Sequence, residues 1–136
     1  MLNIQVLKVG IVSCSGEGLP CGTISRVACR KVLDELRPGA AVTICLPLFI
    51  AGGKEERDFA KTFPTITVDG CEKRCAQIST ERLSGKPAKS LLVPEILKKH
   101  NLDTPTSLRN LTPKEKEAGR IVAEELAKAV DEVLGG

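Results

Sequence analysis

Tryptophan and tyrosine are absent from the sequence, phenylalanine occurs three times and histidine once. Stacking of bases on aromatic rings and imidazole-centred acid–base catalysis therefore have few residues to work with. A surplus of one charge is lacking as well: 20 Lys and Arg against 17 Asp and Glu leave +3. That is too little to argue for a nucleic-acid or membrane surface, and neither is expected as a partner. No apolar run approaches the ~18 residues needed to span a bilayer. An export signal is not expected either, because Met1 to Gln5 carry no basic side chain and Lys8 interrupts the apolar stretch. Ile11-Val12-Ser13-Cys14 therefore only imitates a lipoprotein cleavage site, and the expected address is the reducing cytoplasm, where thiols stay free or bind metal. What the chain does have is 42% apolar residues in 136, enough for one globular domain over residues 1–136, and six cysteines.

Short apolar runs alternate with helical patterns. Gln5 to Val12 reads as a first strand, followed by a Gly-rich turn from Ser13 to Gly22 and a helix from Thr23 to Leu36 that Pro38-Gly39 stops. Ala41 to Leu46 reads as a second strand ending at Pro47 and Gly52-Gly53, before a short charged helix around Glu55 to Lys61. Thr65 to Val68 is a third strand, with a helix from about Cys71 to Leu83 and Gly85 as its stop. Ser90 to Val93 is a fourth, and Pro94 opens a helix that ends near Asn101. Thr112-Pro113-Lys114-Glu115 supplies a cap, a proline and a glutamate for the last helix. Its stripe of Ala118, Ile121, Val122, Leu126, Ala129, Val130 and Val133 is suited to covering a sheet. Continuous apolar strands between helices imply an α/β fold: a parallel four-stranded sheet, Rossmann-like or flavodoxin-like, in the order 2-1-3-4 with helices on both faces.

In such sheets ligands bind beyond the carboxyl ends of the strands. Cys14 follows strand 1, Cys45 lies at the end of strand 2, Cys71 follows strand 3, and Cys75 stands one helical turn further on. Neighbouring strands would bring these four thiols to one edge, where a four-cysteine site suits zinc and also an iron–sulfur cluster. Amides at the helix starts near Thr23 and Cys71, with Lys73 and Arg74, are expected to offset the thiolate charge. Cys21, in the Gly-rich loop, is an additional thiol near the site. Asp69 either forms the turn with Gly70 or acts beside the cluster as an acceptor or base. Cys29 reads as core and His100 as a solvated residue at a helix end.

Cys14-Ser15-Gly16, Gly22-Thr23-Ile24-Ser25-Arg26 with Ala28 and Arg30, Cys45, Asp69-Gly70-Cys71 and Cys75-Ala76 together resemble the DGC-domain family of zinc-binding proteins. The resemblance covers most of the chain from strand 1 through the third helix. It implies a metal site more than an activity, with Cys14, Cys45, Cys71 and Cys75 as the chelators. Two positions depart from the family pattern: Glu72 stands where members often have proline, and Cys21 sits in an enlarged loop.

Other motifs fail on spacing. Gly16, Gly18 and Gly22 miss the dinucleotide fingerprint by one residue, and no acidic residue ends strand 2. A phosphatase loop would need arginine where Pro20 stands. No C-x-x-C exists, although Cys14 with Cys21 or Cys71 with Cys75 remains a conceivable redox pair. Three functions stay open: a zinc-binding protein, a thiol enzyme for redox or sulfur chemistry using a low-pKa cysteine (Cys71 by its place at a helix start), and an interaction module with structural cysteines.

Overall fold

The computed structural model describes residues 8–14, 16, 18–107 and 111–135. Strands β1 (Val9–Ser13), β2 (Ala41–Thr43), β3 (Thr65–Asp69) and β4 (Lys89–Leu92) form one parallel sheet in the order β2-β1-β3-β4. The order is the expected one, with its switch point between β1 and β3. Gly10 pairs with Thr65 and Ser13 with Val68, and the Cys14 amide extends the ladder to the Val68 carbonyl at 3.0 Å. The first residues of the expected strand, 5–7, lie outside the described residues.

Side chains alternate across the sheet. Val9, Ile11, Ile66 and Val68 pack under α1 (Pro20–Lys31), α6 (Val93–Lys99) and α7 (Pro113–Gly135), while Val12 joins Leu46, Phe49 and Ala76 in a separate core cluster. Both faces are therefore covered. On α7 the predicted stripe holds: Val122, Leu126 and Val130 are fully buried, each worth about 1.5–3 kcal/mol of burial. The start of α7 is fixed by Glu115, whose carboxylate accepts the Thr112 hydroxyl and the Ser107 amide. No helix among the described residues is long and apolar enough to cross a membrane.

The differences from expectation lie at the carboxyl ends of the strands. α1 starts at Pro20 rather than Thr23, because proline fits the first helical position, where no amide is needed. Cys21 therefore belongs to the helix's first turn, not to the loop. Beyond Lys31 the helix widens into a π turn over Val32–Leu36, ending in a turn with Gly39 at φ +79°. β2 ends at Thr43, and Cys45 caps an unforeseen helix, α2 (Leu46–Ala51), that Pro47 opens rather than blocks. The charged segment splits into α3 (Lys54–Arg57) and α4 (Phe59–Thr62). Most important for the site, α5 spans Cys75–Leu83, so Cys71 is outside it.

Candidate functional site at the carboxyl edge of the sheet

Three glycines let the loops after β1 and β3 meet the first turn of α1. A side chain on Gly70 would place its Cβ 2.5 Å from the Gly22 amide nitrogen, and one on Gly22 would stand 2.3 Å from Gly16. Real Cβ contacts do not come that close, so the three backbones pack directly on one another. Gly16 also has φ +54°, a left-handed conformation that favours glycine.

That packing delivers the Gly70 amide to Cys14. It donates to the Cys14 sulfur at 3.3 Å, and Ser25 Oγ lies 3.4 Å from the same sulfur. Ser25 is completely buried and its hydroxyl donates to the Gly22 carbonyl at 2.6 Å. In the contact with Cys14 either group can be the donor, so the sulfur lies between the Gly70 amide and the Ser25 hydroxyl. Burial pushes its acidity down and its pKa up, against the pull of Ser25 and the Gly70 amide. Burial likewise raises Cys21 and Cys29 above the ordinary thiol range.

Asp69 is not a free base. It is 1% exposed, its Oδ1 accepts the Ala76 amide at 2.8 Å, and its Oδ2 accepts the Gln77 amide at 3.1 Å. Both oxygens thus satisfy the first turn of α5 across the intervening loop, as a capping carboxylate does. Burial still raises its pKa, with the two amides opposing. Within the loop the Arg74 amide bonds to the Cys71 carbonyl at 3.1 Å, and Arg74 turns the chain at φ +50°. The Arg74 guanidinium is engaged with Gln77 at 3.1 Å and Glu95 at 3.6 Å, and Lys73 is exposed.

Four of the amides expected to steady the thiolates are engaged elsewhere. Gly22 and Thr23 in α1 donate to the Leu19 carbonyl, and Ala76 and Gln77 in α5 donate to Asp69. The argument that a helix start activates Cys71 fails because α5 begins only at Cys75 and leaves Cys71 outside it. The amide that does reach a sulfur is that of Gly70, a loop residue.

Cys14, Cys71, Cys75 and Asp69 line one cleft of about 480 Å³ at the switch point, together with Leu19, Leu46, Ile50 and glycine backbone. Cys45 lines a neighbouring cleft with Cys14 and Cys29, and Cys21 lines a third with Cys71. Cys14 and Cys71 are the cysteines that neighbouring clefts share. All six cysteines are free; Cys45 and Cys75 are exposed, Cys71 half-buried and the other three buried. His100 sits at the end of α6 and meets Glu125 at 3.0 Å, away from the cysteines. The roles of Ser25, Leu46 and Ile50 were not foreseen: the i, i+4 spacing of Leu46 and Ile50 around a proline start was the available signal for α2, and Ser25 stood only within the Gly22 to Arg26 stretch that carries the family resemblance, with no role assigned to it.

The donor set suits a thiophilic ion in kind, being sulfur with no uncommitted carboxylate. Among the described residues no three His, Cys, Asp or Glu side chains are grouped closely enough to hold an ion as they stand. An ion would therefore draw the sulfurs together.

Fold and site together define a parallel α/β domain with a thiol-lined cleft at its switch point. The chain belongs to the DGC domain family, which matches residues 10–133, nearly its whole length. No curated protein and no solved structure matches it.

Proposed function

We propose that the protein binds one thiophilic metal ion, zinc before an iron–sulfur cluster, through cysteine thiolates at the carboxyl edge of the sheet, in the cytoplasm. The observation that supports this best is the single cleft lined by Cys14, Cys71 and Cys75 from two strand ends and the start of α5. Cys45, from the far side of Cys14, is the proposed fourth donor. Bound zinc supplies Lewis acidity or cross-links the loops. The chain's own residues hold and release the sulfurs: the Gly70 amide and Ser25 orient Cys14, and Asp69 anchors the segment that carries Cys71 and Cys75. Because burial raises the pKa of Cys14, loading would release protons and strengthen as pH rises.

Purification under reducing, oxygen-free conditions followed by elemental analysis is the test. About one zinc per chain is expected, falling with Cys14→Ser, Cys71→Ser and Cys75→Ser. No zinc or iron above background, with no thiols protected by added Zn²⁺, would end this reading.

A further inference from the structure

Cys21 is a buried thiol that the proposed ligand set leaves out. It is 5% exposed, and no hydrogen bond among the described residues engages its sulfur. It lines a cleft of about 490 Å³, within the range of small-molecule sites. Cys71 lines the same cleft and is half-buried, so of the two it is the thiol that solution reaches. Their backbones meet as well. A Cβ on Gly70 would stand 2.7 Å from the Cys21 carbonyl carbon and 2.5 Å from the Gly22 amide nitrogen. The peptide after Cys21 therefore packs directly on the residue before Cys71. Beyond the effect of burial, Cys14 and Cys71 both push the Cys21 pKa up through their charge, as only nearby groups do.

The other pairings at this edge are less well placed. The Cys14 sulfur already has the Gly70 amide and the Ser25 hydroxyl as partners, which a disulfide would displace. Cys75 is exposed on α5, past the left-handed turn at Arg74, and opens into the cleft on the other side of Cys71.

The walls of the Cys21 cleft carry charge of both signs. Arg74 and Glu95 face each other there at 3.6 Å. Glu72 and Lys98 are exposed on the same walls and have no ion pair among the described residues. Leu19 and Leu92 supply apolar surface between them and the thiols. A ligand with one charge of each sign and an uncharged middle fits such walls better than an anion or a cation alone.

We propose that Cys71 and Cys21 form a thiol–disulfide exchange site whose substrate is a small zwitterionic disulfide of the cystine kind. Its carboxylate lies toward Lys98, its ammonium toward Glu72 and its sulfurs toward Cys71. Cys71, as thiolate, attacks one substrate sulfur; the S–S bond breaks, and the departing half takes up a proton. Cys21 then gives up its proton and attacks the Cys71 sulfur, which releases the second half as a thiol. Two protein thiols are oxidised to one disulfide and one substrate disulfide is reduced to two thiols. The two protons lost by the cysteines end on the products. The exchange goes beyond the metal reading and does not require it.

The test uses the reduced full chain, kept in chelator so that metal does not enter. It is mixed with cystine, cystamine or dithiodipropionate, quenched in acid, alkylated and mapped by mass spectrometry. A Cys21–Cys71 disulfide is expected in the unaltered protein, with about two thiols released per chain. Cys21→Ser should stop the reaction at a mixed disulfide on Cys71, and Cys71→Ser should leave the buried Cys21 unmodified. Cystine should react about threefold faster than the dication or the dianion, the worth of one exposed ion pair. Lys98→Glu should bring cystamine ahead. Pairing of Cys71 with Cys14 or Cys75, or no disulfide in the unaltered protein, would overturn the exchange site. Equal rates for the three probes would overturn the zwitterionic substrate. Zinc content is measured on a separate sample, so failure of the metal reading is told apart from failure of this one.

Discussion

Ser25 and Cys14 meet 11 positions apart in sequence, and no periodicity links them. The cysteines themselves were legible, because a residue directly after a parallel strand must lie at the carboxyl edge. The partner that controls one of them was not, since a serine inside a helix usually bonds its own backbone, as Ser25 also does to Gly22. Ser25→Ala removes a group that favours the Cys14 thiolate. In reduced, metal-free protein it should slow alkylation of Cys14 near pH 8 by about fivefold, the equivalent of one hydrogen bond of about 1 kcal/mol. Ser25→Thr should restore the rate, and unchanged labelling of Ser25→Ala by site-resolved mass spectrometry would show that the hydroxyl does not act on the sulfur. Cys29 was read as core and is, at 3% exposure. It should label last, behind the exposed Cys45 and Cys75. Its pKa is raised by burial, as are those of Cys14 and Cys21. Above about pH 8.5 the unfolded thiols lose protons that the folded ones keep, so stability falls as pH rises through that range. Urea midpoints between neutral pH and pH 10 should show this decline, and Cys29→Ala should flatten it.

At the scale of elements, propensity decided wrongly where capping decides in the protein. Cys71 to Arg74 carry helix-forming side chains, yet Asp69 captures the amides of Ala76 and Gln77 and Arg74 takes a left-handed turn, so the helix starts four residues late. A capping carboxylate acting over that distance has no short sequence signature of the S-x-x-E kind. The proline at α2 was likewise ambiguous: it ends a strand and begins a helix with equal ease. The glycines give the sharpest prediction at this scale. Gly70→Ala must force the β3 loop away from Gly22 and Cys21, whose backbone atoms would lie 2.5 to 2.7 Å from the new methyl. It should cost about 2 kcal/mol or more by urea denaturation, within the range of overpacking, and weaken zinc retention. Gly18→Ala, with nothing within 4 Å, should stay within about 0.5 kcal/mol of the parent. Equal effects of the two would mean that the close approach at Gly70 is not needed.

The sheet order and the last helix were readable because they depend on burial over many residues, which outweighs any single cap. The same burial decides what an ion does for the whole molecule. The larger core cluster joins β1 and β3 to α1, α6 and α7, and of the four proposed ligands none belongs to it. Cys14 packs in the smaller cluster on the opposite face, with Leu46, Phe49 and Ala76. A chain of 136 residues with such a core does not need metal to fold, unlike a small zinc module in which the ligands replace the core. Chelated protein should keep its far-UV helical signal. Zinc should then raise the unfolding free energy by simple linkage, about 2.7 kcal/mol at a free concentration about 100 times its Kd, read as a higher denaturation midpoint. Loss of stability on chelation should appear first as faster amide exchange at residues 70–77, where Asp69 and the Gly70 amide hold the cysteine loop, and last in α7. Collapse of the helical signal on chelation, restored by zinc, would instead mean that the loops carry the fold and that the core is weaker than its burial indicates.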